Sequence, residues 1–498
     1  MEKIKIGWSE ADITPDEPIR LGGQFYERVS NEVDSKLTCT AFALESGDEQ
    51  LVICACDLVS VTEYVIKEAR ARISAQIDLA PEKIIFSAIH THTSYLYPLG
   101  ANGKATGGKA GYLRRTVPED MSYVSLSTGK PSMSDEKMLE IIISGMTRAV
   151  VDAWEKRAYG SYQNAFGRVA VGMCRRACYD DGSAKMWGET NLANFVALEG
   201  GNDSGMELIY TYGEDGELSG VIANIACPAQ VAEHRDFVSS DYWGRVKMNL
   251  EKKFGRKIFV LGLCAAAGDQ CPRDLIRWVD PETPVKDPNI KHNYPLERRA
   301  DPSMFDKSGL NLVGRRIANE IISVYEELDD NRLDEAVLVH ETVKLNQPYR
   351  RATIEAYEEA VKVIDDFIAK NRGKQINYED TARLHIYSGL IERYYLQQTK
   401  EQYEIEVHFV RFGDIAIATN PYELFLDYGN QIRARSHAKQ TFLIQLACGA
   451  CGYLPTEKAE KGSHYSAYIS SGRTGHVGGE LLVRETLTHI NRMFQEEN

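Results

Sequence analysis

The chain has 498 residues, 43% of them hydrophobic and 26% charged, and a formal net charge of −14 at pH 7. That length fits two or three ordinary domains, or one large α/β domain with insertions, and the composition is that of a globular protein. The acidic balance argues against nucleic acid or an anionic membrane as the main partner, because both recruit basic surfaces.

The opening MEKIKIGWSEADITPDEP has no apolar core of signal-peptide length, and no run reaches the about 18 apolar residues of a membrane span. Among the ten cysteines, Cys39, Cys54, Cys56 and Cys264 sit inside apolar runs, where small buried thiols are expected. The expectation is a cytoplasmic protein with reduced thiols.

TCTAFALES and QLVICACD read as buried strands. VTEYVIKEARARISAQ reads as a helix burying Val65, Ile66, Ala69 and Ile73, and KIIFSAI returns as a strand. A strand–helix–strand unit over about 38–90 follows. Residues 96–135 form a long loop rich in Gly, Ser, Thr and Pro, of the kind that serves a site or is disordered. ELIYTYGEDGELSGVIANIAC is a hairpin about Glu214-Asp215-Gly216. SDYWGRVKMNLEKKF is a helix capped by Ser240 or Asp241, followed by the strand KIFVLGLC. Residues 272–306 form a second long loop, and 351–399 two helices joined near Gly373. HFVRFGDIAIATN, TFLIQLAC and a helix over about 479–494 complete the chain, with no fixed-period repeat. The fold expected is α/β: one large domain over 1–498, mixed β-sheets flanked by helices, with a helical insertion.

Five apolar runs end in unusual polar or small residues: at His90, Cys227, Asp269, Glu423 and Tyr453. In α/β proteins ligands gather where strands end at their carboxyl termini, so these endings point to one site. His90 and His92, two apart, share a face in an extended segment. They suit two imidazoles on one metal, one ligand beside an acid/base, or a hydrogen-bonded strand end. GDQCPR is a tight turn in which Gly268 permits unusual backbone angles, Asp269 and Cys271 carry chemistry, and backbone N–H groups are available to an oxyanion. Cys271 reads equally as a nucleophile or as an inert buried thiol. Glu423 falls in a first helical turn, where the helix dipole also favours a carboxylate. Cys448 and Cys451 form a C-x-x-C pair with no second pair at comparable spacing, and read as packing residues.

In this order, IGWSEADITP, a Gly-Gly turn, FALESGDEQLVICACDL, IHTHTS, GDQCPR, NPYELF and GYLPTEKAE resemble the neutral/alkaline non-lysosomal ceramidase family over most of the chain. The resemblance implies a zinc-dependent amide hydrolase whose metal is held by two histidines, a glutamate and a tyrosine. Carried over, the first histidine falls on His90, the glutamate on Glu423 and the tyrosine on Tyr453. His92 matches a second active-site histidine, and Arg175 in GMCRRA matches an arginine that follows an Ile-Asn pair. The family's second zinc histidine precedes a proline, and this chain has Cys227 there. Thiolate is a good zinc ligand, so Cys227 substitutes, His234 swings in, or zinc is lost. The family's turn serine is Cys271 here, which hydrogen-bonds differently.

Secreted members carry a signal peptide and a carboxyl-terminal β-sandwich domain, and this chain shows neither. The expectation is therefore a zinc-dependent hydrolase of an amide, ester or related bond in a small polar soluble substrate rather than ceramide. Arginines in YLRRTVPED, RRA and PRDLIR suit carboxylate or phosphate groups. The competing readings are a metal-independent hydrolase using Cys271 or Cys227 with His92 or His234, and a ligand-binding protein on a degenerate scaffold.

Overall fold

The computed structural model describes residues 1–24, 27–97, 130–276, 306–372 and 378–495. Most of both expected long loops, including YLRRTVPED, lies outside the described residues.

Strand β1 (Glu2–Asp12) is followed by β2 (Thr38–Ser46), β3 (Glu49–Cys56), helix α1 (Glu63–Ser74) and β4 (Ile84–Ala88). β1 to β3 pair antiparallel in succession, and the α1 crossover sets β4 parallel to β3. Helix α2 (Asp135–Glu155), capped by Ser134, covers the outer face of this sheet. Side chains alternate as a pleated strand dictates. Phe42, Leu44, Leu51 and Ile53 face one core, whereas Ala41, Ala43, Val52 and Cys54 face α1 and α2. Helix α1 buries Val65, Ile66, Ala69 and Ile73 as its sequence spacing predicts. The Val and Ile side chains contribute about 1.5–3 kcal/mol each on burial.

The plan then recurs. β5 (Ser161–Arg168), β6 (Gly205–Tyr212) and β7 (Leu218–Ile225) form an antiparallel meander. After it, α3 (Tyr242–Phe254) leads to β8 (Phe259–Cys264), parallel to β7, and α4 (Lys307–Glu326) lies against α3. Asp241 caps α3 and also accepts from the backbone N–H groups of Val231 and Ala232, which ties down the turn that carries Glu233. A third set comprises β9 (Leu338–Pro348), α5 (Ile354–Asn371), α6 (Tyr378–Leu396) and β10 (Gln402–Phe412). It continues through β11 (Ile415–Thr419), β12 (Glu423–Leu424), α7 (Leu426–Arg435) and β13 (Gln440–Ile444). β14 (Tyr453–Leu454) and α8 (His476–Met493) close the chain. β9, β10 and β11 are antiparallel, and the α7 crossover makes β13 parallel to β11. Helices α5 and α6 share their own apolar cluster around Ile364, Phe367 and Leu384.

The three sheets meet in one central core. Trp8, Phe42 and Ile53 come from the first, Ile209, Ile222 and Leu261 from the second, and Phe412, Ile417 and Phe442 from the third. The segments between corresponding strands differ in length, so this threefold architecture leaves no period in the sequence. Each sheet carries one parallel pair; His90, Cys227, Asp269 and Glu423 lie just beyond the carboxyl ends of β4, β7, β8 and β11, and Tyr453 opens β14 at the end of the loop that leaves β13. This is where loops of an α/β fold converge.

Candidate active site

β4 stops at Ala88, and the chain then turns sharply, with His90 in the left-handed region at φ 69°. The extended i, i+2 arrangement expected for His90 and His92 is therefore not what brings them together. The turn does so, placing the two Nε2 atoms 3.3 Å apart with the rings at 73°. A histidine held at positive φ stores strain that the surroundings must offset, a trait of functional positions. His90 N–H donates to Leu58 O, and His90 Nδ1 lies 2.7 Å from Val59 O. A carbonyl only accepts, so Nδ1 carries the proton and Nε2 presents a lone pair.

The tautomer of His92 is set through Gln230. Arg175 donates from Nη1 to Gln230 Oε1 at 3.2 Å, which orients the amide because a guanidinium has no acceptor. Gln230 Nε2 then donates to His92 Nε2 at 2.8 Å. The His92 proton must sit on Nδ1, which lies 3.7 Å from Glu233 Oε2. Gln230 takes up the His92 Nε2 lone pair, so the lone pair left open is that of His90 Nε2, which faces the Glu423 carboxylate at 3.5 Å, an arrangement that calls for a cation or a proton between them. Burial first, then His90, Arg28 and Arg175, hold His92 well below the ordinary histidine range, so the ring is neutral near pH 7.

Glu423 and Tyr453 are brought together by backbone pairing. β12 and β14 run parallel with Glu423 directly opposite Tyr453. Glu423 is not in a helical first turn, as its position after Asn420-Pro421 suggests. Its N–H bonds Gly452 O, and α7 begins only at Leu426. Glu423 Oε2 stands 3.5 Å from His90 Nε2, and the Glu423 charge lies beside the Tyr453 phenol. Burial, followed by the Glu423 charge, pushes the Tyr453 phenol well above its usual value. Arg175 Nη2 reaches Tyr453 Oη at 3.4 Å and Gly268 O at 3.0 Å.

The two adjacent arginines of GMCRRA point to opposite sides. Arg176 makes a buried bidentate pair with Glu199, at 2.6 and 3.0 Å, and is structural. Arg175 is fully buried, and among the described residues no carboxylate lies within ion-pair distance of it. Two backbone N–H groups of the turn are committed elsewhere, Gly268 to Leu424 O and Gln270 to Ala267 O. Gly268 is required for space rather than for an unusual φ: a Cβ there would lie 2.3 Å from Glu423 O. Asp269 braces the site by accepting from Leu426 N–H and, through its carbonyl, from Arg175 N–H.

The remaining thiols stand aside. Cys227 Sγ is directed to Val171 O and Pro228 O within the apolar cluster under the second sheet. Among the described residues, His90, Cys227 and Glu423 do not bring three ligand atoms within 4.8 Å of one another. Burial pushes the Cys227 thiol well above its usual value and Cys271 up to about 12, so neither is the thiolate that a Cys nucleophile needs. His234 sits half-buried next in sequence to Glu233, whose carboxylate lies 3.7 Å from His92 Nδ1. Gln230, Glu233, Tyr465 and Trp187 went unread in the sequence. The Tyr465 ring meets Tyr453 edge-on at 5.8 Å, and the Trp187 ring lies beneath the guanidiniums of Arg175 and Arg273, 5.4 and 4.3 Å away.

Gly23 packs directly on His92. Its φ is 91°, and a Cβ would fall 2.3 Å from His92 Cγ. Gly23→Ala is expected to displace the imidazole and lower activity about 10²-fold while costing about 1–3 kcal/mol in stability. Turnover and thermal melting of the same preparation check both numbers.

No family model matches the chain, and no curated protein does. Among solved structures it is similar to a ceramidase complexed with C2 at TM-score 0.66 and 14% identity, covering 99% of this chain and 76% of that one. It is also similar to the neutral ceramidase from Pseudomonas aeruginosa at TM-score 0.63 and 15% identity, covering 99% of this chain and 75% of that one. The chain therefore has the α/β fold of the neutral ceramidase-like catalytic domain, at low sequence identity.

Proposed function

We propose that, on this ceramidase-like fold, the chain is a zinc-dependent hydrolase of an amide, ester or related bond in a small polar molecule. The observation that carries the proposal is the bare Nε2 of His90, its proton fixed on Nδ1 by Val59 O, facing the Glu423 carboxylate at 3.5 Å. The donor set fits zinc. Two ligands of one tetrahedral zinc at about 2.0–2.1 Å stand about 3.3 Å apart, close to the 3.5 Å between His90 Nε2 and Glu423 Oε2. His90 also has the outer hydrogen bond, from Nδ1–H to a carbonyl, that orients metal-ligating imidazoles.

His90, Glu423 and Tyr453 would hold the ion, and Cys227 is not needed to complete three protein ligands. When bound, zinc supplies Lewis acidity toward the scissile carbonyl and the attacking water. The chain's own residues do the rest. His92 Nε2 takes the proton of the water, displacing the Gln230 N–H, and the resulting imidazolium turns Nδ1–H toward Glu233. Its proton then passes to the leaving group. The Arg175 guanidinium, buried without a carboxylate partner among the described residues, stabilises charge developing on the carbonyl oxygen or an acidic group of the substrate.

A polar rather than lipid substrate is supported by the stack of the Arg175 and Arg273 guanidiniums on Trp187. Among the described residues no helix is long and apolar enough to cross a membrane. The net charge of −14 is consistent with a soluble substrate reached from the cytoplasm. The test is turnover of a panel of short N-acyl amides and esters, with and without a carboxylate, alongside ceramide. The expected result is chelator-sensitive cleavage, favouring polar members. Preferential cleavage of ceramide would refute the substrate class, and chelator-resistant turnover would refute the metal.

A further inference from the structure

A second convergence of unlike ligand atoms lies away from this site, on the third sheet. Glu406 and His408 are two apart on β10, so both side chains leave the same face. The loop after β13 brings Cys448 to them, with its backbone in the left-handed region at φ 53°. Cys448 Sγ is 3.3 Å from His408 Nε2, and His408 Nε2 is 3.1 Å from Glu406 Oε1. All three ligand atoms lie within 4.8 Å of one another. A cavity of about 570 Å³ opens onto Glu406 and Cys448, with Cys451, Arg70, Lys344 and Glu63 also on its wall.

The hydrogen bonds decide which nitrogen of His408 is free. Thr342, opposite His408 across the strands, commits its hydroxyl proton to Glu82 O at 2.5 Å. Toward His408 Nδ1, 3.1 Å away, it can only accept. His340 Nδ1 lies 3.1 Å from Gln50 O and so carries that ring's proton. His340 Nε2, 2.9 Å from His408 Nδ1, likewise only accepts. Both neighbours therefore place the His408 proton on Nδ1. Nε2 is left bare, directed at a carboxylate and a sulfur. This is the tautomer and outer-shell bonding of a metal-ligating imidazole.

We propose that Glu406, His408 and Cys448 form a second site for a thiophilic divalent cation such as zinc, with the cavity supplying the open position. Carboxylate, imidazole and thiolate are all zinc ligands. In the empty site the Cys448 S–H points its proton at His408 Nε2. On binding, the sulfur lone pair forms the S–metal bond, the S–H bond breaks, and the proton leaves to solvent. Arg70 Nη2 donates to Glu406 Oε1 at 2.7 Å and to Ile84 O at 2.5 Å, and lies 3.6 Å from Cys448 Sγ. Lys344 holds Glu406 Oε2 at 3.0 Å. Arg70 and Lys344 hold the Glu406 carboxylate in place, while burial pushes the Cys448 thiol up to about 12, so the sulfur keeps its proton until a cation takes its place.

Cobalt(II) titration of the full chain tests the proposal. A thiolate ligand gives an S-to-Co(II) charge-transfer band, which a His90, Glu423 and Tyr453 donor set does not. The band is expected in the wild type and in Cys227→Ser and His90→Ala, and is expected to vanish in Cys448→Ser. No band in the wild type, or one of undiminished intensity in Cys448→Ser, overturns the proposal without bearing on the catalytic metal. Alkylation of the wild-type protein, mapped by mass spectrometry, covers the case in which the variant does not fold. Zinc is expected to slow modification of Cys448 at least about tenfold relative to Cys178. An unchanged rate at Cys448 overturns the proposal.

Discussion

His90→Ala is expected to abolish zinc binding at the catalytic centre and to lower turnover by at least about 10³-fold. The expectation follows from what the imidazole does and how it is held. The left-handed backbone at φ 69° and the Nδ1 bond to Val59 O fix the ring so that its bare Nε2 meets Glu423. Alanine removes the only neutral nitrogen of the donor set and leaves the Glu423 carboxylate and the Tyr453 phenol facing a void. The fold should tolerate the change, because the ring contributes no central-core packing. His90→Gln, which restores a hydrogen bond to Val59 but not an imidazole, is expected to rescue stability and not activity. Metal analysis, turnover and melting curves on the three proteins check this.

The second large effect contrasts neighbouring residues. Arg175→Ala is expected to cost about 10²–10³ in kcat/KM with little change in melting temperature. Arg176→Ala is expected to destabilise the fold by about 3–5 kcal/mol, because it strands Glu199 in a buried site. Arg175 also orients Gln230, and through it the tautomer of His92. Its loss should therefore change the acid limb of the pH–rate profile as well as the rate, which a merely packing residue would not do. Arg175→Lys is expected to recover little, since one ammonium cannot span Gln230 Oε1, Gly268 O and Tyr453 Oη together.

What was legible in the sequence was what periodicity encodes. Helix α1 buries the four residues its spacing predicts, and TCTAFALES, KIIFSAI and KIFVLGLC are strands within a residue or two of their expected ends. The idea that polar strand endings share one site carries over to His90, Glu423 and Tyr453, because parallel pairs aim their carboxyl ends the same way. Backbone conformation was not legible. His90 and His92 meet through a left-handed turn, Glu423 lies on a two-residue strand rather than a helix, and Gly268 provides room rather than a special φ.

Long-range partners were not legible either. Nothing in CPAQVAEH marks Gln230 as the relay between Arg175 and His92, or Glu233 as the carboxylate nearest that ring. Those roles exist only once Asp241 has pinned the intervening turn. Cys227, the obvious thiol for a missing ligand, spends its sulfur on Val171 O and Pro228 O. Cys448, which the sequence marks only as half of an incomplete pair, meets a histidine and a glutamate from a strand some forty residues away. Spacing along the chain identifies ligands only when they share one local element.

The measurement that tests the catalytic site most directly is an anomalous difference map from a zinc-soaked crystal, collected on both sides of the zinc edge. The predicted result is a peak bounded by His90 Nε2, the Glu423 carboxylate and Tyr453 Oη, absent in His90→Ala. Density at Cys227, or no peak beside His90 at saturating zinc, would contradict it.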